Sequence, residues 1–325
     1  MAESDKNEIF LSPSPHFTYG RTTDNLMKAV LLALLPECVY GVILYGAGAL
    51  VTILVSVICA VGFEALFQKL TKQEIVIKNC SAAVTGVLLA LVLPPTTPVW
   101  QTILGALFAV VIAKGFFGGL GANVYNPALV GRAFLFVSFP AAIGATWIDP
   151  ATDAISSATT LSQIKTGTFT ANPSVYMQFF LGHRAGCIGE SSILLILISF
   201  AFLLITRVID WRAPLAMVAT VAAATALSGG DVLMALLSGG LLFGATFMIT
   251  DYATTPVTKP GRLVFGFSCG LITFLIRKFG GYPEGVMFSI LIMNSFTAFL
   301  NNLTTRKYGY GRKSKKTEAA KCIKW

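Results

Sequence analysis

The run Asp153-Ala154-Ile155-Ser156-Ser157-Ala158-Thr159 holds the residues of this chain best suited to chemistry. A threonine esterified to a phosphate group needs an accessible hydroxyl, neighbours small enough for a modifying enzyme to hold the backbone, and an acid to help position a metal-bound donor. Thr159, then Ser156, Ser157 and Ala158, then Asp153 meet those needs in that order. A D-x-x-[ST]-x-A-T match arises by chance in about one chain in a hundred of this size at average composition. The competing reading is a Ser/Thr-rich loop with no modification.

Two other segments bring polar groups up to apolar runs. Gly118-Gly119-Leu120-Gly121-Ala122-Asn123-Val124-Tyr125-Asn126-Pro127 is too Gly-rich to stay helical. Non-helical backbone at membrane depth survives only where it is buried in protein or lines a cavity. Asn123 and Asn126 each donate and accept, which suits the edge of a bound heterocycle; an ordinary Gly/Pro turn at the membrane surface needs no ligand. Asp251 follows a run containing Gly239, Gly240 and Gly244. An ionisable residue near a span is a functional candidate, and this one could bind a cation, bond to a ring, or sit in loop water. Glu64, Glu190 and Glu284 are open in the same way.

The elements that position these residues follow from composition. Of the 325 residues, 55% are hydrophobic and 12% charged, and the mean hydropathy is +0.73. A soluble domain carries roughly twice that charged fraction. The expected fold class is an all-α polytopic membrane protein with about ten transmembrane helices. Five apolar runs lie between Met27 and Phe139 and five between Ile188 and Leu300, including Val232 to Ile249 and Gly285 to Leu300. The domain reading is a cytoplasmic N-terminal strap (1–24), a first five-helix half (25–139), an extracytoplasmic loop (140–187), a second half (188–303) and a basic cytoplasmic tail (304–325).

An odd number of spans per half forces the halves into opposite orientations. Asn126-Pro127-Ala128-Leu129-Val130-Gly131-Arg132 has a short likeness to Thr255-Pro256-Val257-Thr258-Lys259-Pro260-Gly261-Arg262. An inverted repeat and chance both account for it. Cytoplasmic loops hold an excess of Lys and Arg. With ten spans and a cytoplasmic N-terminus, 20 basic residues fall inside and 4 outside. Both termini are then cytoplasmic and Thr159 extracytoplasmic.

The net charge of +9 comes with a tail that is Lys-rich from Arg306 onward. A basic juxtamembrane tail reads as positive-inside sequence touching anionic lipid, so no nucleic-acid partner is expected. Six cysteines form no C-x-x-C pair, and His16 and His183 sit in no Ser/His/Asp constellation. No catalytic residue and no metal ligand is assigned. The N-terminus lacks the order of a signal peptide.

Tyr19-Gly20-Arg21-Thr22-Thr23, Leu31 through Pro36, Asn126 through Gly131, the Thr159 loop, Gly189-Glu190-Ser191-Ser192 and Met248-Ile249-Thr250-Asp251 together resemble the D component of the Rnf complexes, the RnfD family. That family is similar in turn to the B component of the sodium-pumping NADH:quinone reductases. Ser157 stands where the latter usually have Gly. The resemblance implies electron flow between ferredoxin and NAD coupled to sodium or proton movement in a bacterial or archaeal plasma membrane. It implies FMN joined through its phosphate to Thr159 by a flavin transferase, and partner subunits with flavin and iron-sulfur centres. It also implies a noncovalent riboflavin, for which Asn123, Asn126 and Asp251 are the candidates. The alternative is a solute channel or transporter, because inverted repeats with Gly-rich breaks are transporter-like.

Overall fold

Among the described residues two helices are long and apolar enough to cross a bilayer unaided, α1 (Thr23–Tyr45) and α2 (Ala47–Leu70). The computed structural model describes residues 22–144, 147–148, 155–156, 173–182, 185–281 and 284–305. At 1.5 Å per residue each of these helices runs about 35 Å, enough for a hydrocarbon core of about 30 Å. Thr22 starts α1 by accepting from the Asn25 amide, and Gly46 (φ 68°) turns the chain directly into α2.

The remaining apolar runs are built from shorter pieces. They form α3 (Ser81–Leu91), α4 (Val99–Leu107), α5 (Pro127–Ser138) and the five-residue α6 (Pro140–Gly144). A single antiparallel pair, β1 (Trp147–Ile148) with β2 (Ile155–Ser156), is the only β structure among the described residues. Then come α7 (Pro173–Leu181), α8 (Ile193–Ile205) and α9 (Arg212–Leu227). The last described helices are α10 (Val232–Leu237), α11 (Leu241–Phe243), α12 (Lys259–Phe279), α13 (Val286–Ser295) and α14 (Thr297–Thr304).

Two of the expected continuous spans are therefore interrupted. Val232 to Ile249 breaks between α10 and α11, where Gly239 and Gly240 take φ of 69° and 63°, a left-handed conformation that glycine adopts without cost. Gly285 to Leu300 bends by 56° at Phe296, so α13 and α14 count as a third span only if the bent pair is taken as one.

Small residues let the helices close on one another, as apolar surface alone drives little association in lipid. A Cβ at Gly270 of α12 would lie 2.6 Å from the Met217 carbonyl oxygen of α9, and one at Gly86 of α3 would lie 2.8 Å from the Val57 Cα of α2. Hydroxyls add interhelical bonds: Ser56 donates to the Gly86 carbonyl (2.7 Å), and Ser199 of α8 to the Ala33 carbonyl of α1 (2.7 Å).

One local arrangement occurs twice. Helix α4 runs into a π-helical segment, Phe108–Gly115, then a polar turn, then α5, capped by Asn126 and started by Pro127. Helix α11 runs into a π-helical segment, Gly244–Met248, then a polar turn, then α12, capped by Thr258 with Pro260 in its first turn. Wide π turns inside helices are uncommon and gather at functional sites. The two arrangements touch, since the Asn126 amide donates to the Met248 carbonyl (3.4 Å).

Candidate functional site

The Gly-rich turn leaves the helix as its composition requires: Gly118, Gly119 and Gly121 all have positive φ (108°, 92° and 92°). It delivers two buried asparagines. Asn123 accepts from the Gly121 amide (3.3 Å) and donates to the Tyr125 carbonyl (3.1 Å). Asn126 accepts from the Ala128 and Leu129 amides (3.1 and 3.4 Å), satisfying two of the donors that a helix start leaves open.

Both asparagines line one cavity of about 700 Å³, counted with its open mouth, and Asp251 lines it from the other half of the chain. The three candidates named from sequence are thus brought together although 125 positions separate Asn126 from Asp251. Asp251 is half-buried, and the Thr254 hydroxyl donates to it (3.0 Å). Burial pushes its carboxyl up from its ordinary value, against the pull of Thr254, the Ala253 and Tyr252 amides and the charge of Lys114.

Lys114 also lines this cavity, at the end of the first π segment. Its Nζ donates to Glu64 Oε1 and to Ser81 Oγ, each at 2.7 Å, joining the π segment to α2 and α3. Along the sequence Glu64 is an open candidate and Lys114 counts among the inside charges; in the fold both are buried and they neutralise each other. A lysine inside an otherwise apolar run was the available signal.

Arg132 is the second loop charge to be reassigned. On α5, six residues past Asn126, it is buried and donates to Glu284 Oε2 (2.6 Å) and Cys187 Sγ (3.5 Å). The ligand atoms of Cys187, Glu190 and Glu284 lie within 4.8 Å of one another. The guanidinium supplies the positive charge that a metal would bring to such a group. Gly240 packs against the Glu190 carboxylate so closely that a Cβ there would overlap it. The spacing of Cys187, Glu190 and Glu284 along the chain carries no ligand pattern, so only the fold brings them together.

Around Arg132 opens a second cavity of about 790 Å³, again counted with its mouth, between α5, α6, β1 and the start of α13. The other candidates sit at its side of the molecule only through Ser156, whose backbone pairs with Trp147 in the β1–β2 ladder. Asp153, Ser157, Ala158 and Thr159 lie outside the described residues.

Interrupted helices that bury ion pairs and turn polar backbone toward two cavities, on a lipid-soluble helical frame, define a helical membrane protein with built internal sites. The chain belongs to the NQR2, RnfD, RnfE family, whose model matches residues 10–309. Its relatives are the D components of ion-translocating oxidoreductase complexes. It is 42% identical over 318 residues to that of the Na(+)-translocating ferredoxin:NAD(+) oxidoreductase complex of Acetobacterium woodii, covering 96% of this chain and 100% of that one. It is 39% identical to that of the proton-translocating ferredoxin:NAD(+) oxidoreductase complex of Clostridium ljungdahlii, covering 94% and 97%. It is 35% identical to that of the ion-translocating oxidoreductase complex of Stutzerimonas stutzeri, covering 92% and 96%.

Proposed function

We propose that this chain is a membrane electron-transfer subunit of an ion-translocating ferredoxin:NAD oxidoreductase, carrying FMN on Thr159 and a noncovalent riboflavin in the cavity of Asn123, Asn126 and Asp251. Similarity to the D components of such complexes over nearly their whole length supports the complex and its redox-driven translocation. Those relatives are named for different ions, sodium in one and protons in another, so the ion is left open. The observation that carries the site is the meeting of two asparagines and a carboxylate from opposite halves of the chain on one cavity.

Bound flavins supply redox chemistry that the side chains of this protein do not. The residues do the rest. Asn123 and Asn126 commit their amides to the turn and the helix start, which holds the cavity wall rigid and leaves their remaining hydrogen-bonding capacity fixed in direction. Lys114 is fixed at the cavity wall by Glu64 and Ser81, and Asp251 adds an acceptor to the same wall. Tethering at Thr159 would keep the second cofactor at high effective concentration on a face where a dissociated flavin is lost.

The remaining topology belongs to the same proposal: about ten spans in two halves, the loop of 140–187 extracytoplasmic, and both termini cytoplasmic. With Lys114 and Arg132 removed from the loop charges, 18 basic residues still fall inside against 4 outside. The paired π-segment, turn and capped-helix arrangements support inverted repeats. Partners would be the flavin and iron-sulfur subunits of the complex and a flavin transferase.

Intact mass tests the covalent site. The chain coexpressed with a flavin transferase should gain the mass of one FMN and fluoresce on a denaturing gel, and Thr159→Val should lose both. Unchanged mass and fluorescence on that substitution would refute the assignment. Riboflavin released on denaturation should fall several-fold in Asn123→Ala while the FMN mass stays.

A further inference from the structure

Helix α1 buries a carboxyl group that nothing else in the described chain answers. Glu37 is completely buried, and neither Oε1 nor Oε2 has a hydrogen-bond partner among the described residues. At 1.5 Å per residue it stands about 21 Å from the start of α1 and about 12 Å from its end, inside a hydrocarbon core of about 30 Å. Ionisable residues at that depth are rare, and as a rule they pair with one another or mark a pathway. Lys114 with Glu64 and Arg132 with Glu284 obey the pairing rule; Glu37 has no such partner among the described residues.

The surroundings narrow what the carboxyl can bind. Met27, Leu34, Glu37 and Gly41 share the buried face of α1, and that face is closed on both sides of Glu37. One turn before it, the Ser199 hydroxyl of α8 donates to the Ala33 carbonyl (2.7 Å). One turn after it, a Cβ at Gly41 would lie 2.6 Å from Ile188 Cγ2. Glu37 lines neither cavity and belongs to no metal-ligating group among the described residues. Hard metal cations take about six oxygen ligands or more, which this packing does not offer.

The titratable groups of the neighbouring elements are engaged elsewhere or absent. Helices α3 and α8, both packed on α1, carry none. Segment 188–190 brings Glu190, which acts on Cys187 and Arg132. Helix α2 brings Cys59, Lys69 and Glu64, the last held by Lys114, and α7 brings Tyr176, bonded to Asp231. On α1 itself Cys38 and Tyr40 are close enough to feel a charge on Glu37. An unpaired carboxylate in such a place sheds its charge by taking a proton.

We infer that Glu37 is a proton-binding site inside the membrane, held as a neutral carboxylic acid that exchanges its proton toward the Gly46 end of α1. The route runs by Tyr40, the next hydroxyl along α1 and on the same side of the helix. Tyr40 is half-buried and its hydroxyl donates to the carbonyl of the exposed Leu181 (2.7 Å). The site depends on neither flavin. It adds to the proposed ion translocation a group whose surroundings select a proton over a metal cation.

Infrared spectroscopy of the full chain in lipid nanodiscs tests this, as the difference between wild type and Glu37→Gln. At about pH 7, where an exposed glutamate is ionised, the difference should contain the carbonyl stretch of a protonated carboxylic acid. That band should move down in D2O and be the same in sodium and in choline buffer. Its absence overturns the inference, and a band that keeps its position in D2O marks a sealed acid and overturns the exchange. Conversion of the band to carboxylate bands on adding sodium makes Glu37 a metal-cation site instead. Tyr40→Phe should keep the band and slow its D2O shift several-fold; an unchanged rate removes Tyr40 from the route. Thermal unfolding supplies a second variant: Glu37→Leu loses no bond, so its midpoint should match or exceed that of wild type. A fall as large as that of a broken buried ion pair would reveal a charged partner and overturn the neutral site.

Discussion

The two cavities differ in how their polar groups are partnered. Around Asn123, Asn126 and Lys114 the bonds run from protein to protein: amide to backbone, ammonium to carboxylate and hydroxyl. Around Arg132 and Trp147 the ion pair to Glu284 is made, yet two buried donors meet no acceptor among the described residues. The first cavity has its donors matched, although Glu64 Oε2 beside Lys114 is buried without a partner among the described residues. Substitutions that break a bond should therefore cost more stability at the first site than removal of an unmatched donor does at the second.

The largest effect is expected at the buried ion pair. Lys114→Met strands Glu64 in the protein interior, and breaking a buried pair from one side costs about 3–5 kcal/mol. Thermal unfolding in detergent should show a clear fall, and Lys114→Met combined with Glu64→Leu should recover most of it. If the double variant is as unstable as the single one, the pair is not a self-contained unit and the first wall depends on more than these two charges.

Asn126→Ala should cost about 1 kcal/mol by removing the cap of α5. It also cuts the bond to Met248, so the loss should exceed that of an isolated cap, which the same unfolding experiment measures against Thr258→Ala on α12. Trp147→Phe loses no hydrogen bond, since the deleted N–H has no partner, so its cost to the flavin-free chain should be only that of trimming a buried ring, no more than about 2 kcal/mol. A large loss there would mean that the second cavity is as self-satisfied as the first.

Asp210 provides a comparison outside both cavities. Burial alone would raise its carboxyl, but the Arg212 amide and the Arg262 and Arg212 side chains overcome this and hold it below its ordinary value. A depressed folded value means that its stabilisation is full above the unfolded value of about 3.9 and is lost as pH falls through the lower folded value. The thermal midpoint of wild type should therefore drop more than that of Asp210→Asn between about pH 5 and about pH 2. Equal drops would remove this network from the forces that join α9 to α12.

Much of the frame was legible along the chain. Apolar runs marked α1 and α2, and three positive-φ glycines before Asn126-Pro127 marked the break and the helix start, because glycine and proline act on their own backbone and need no distant partner. Asn123, Asn126 and Asp251 were legible one by one as polar groups next to apolar sequence. Their union on one wall was not, and neither was the bend at Phe296, where no proline or glycine announces it. Glu64, Lys114, Arg132 and Glu284 were visible only as charges. Lys114 and Arg132 count as loop charges in a one-dimensional reading, which has no access to the carboxylate that makes burial of each one tolerable.

What the amino-acid order determined by itself is the set of properties that depend on near neighbours: hydropathy, turn chemistry, helix caps and the small-residue run ending in Thr159. What only the tertiary structure decided is which charges cancel, which donors stay unmatched, and which loop lies beside which cavity. The physical reason is range. A cap or a turn closes within about four residues, whereas Lys114 finds Glu64 across 50 positions and Arg132 finds Glu284 across 152, distances along the chain that only packing can bridge.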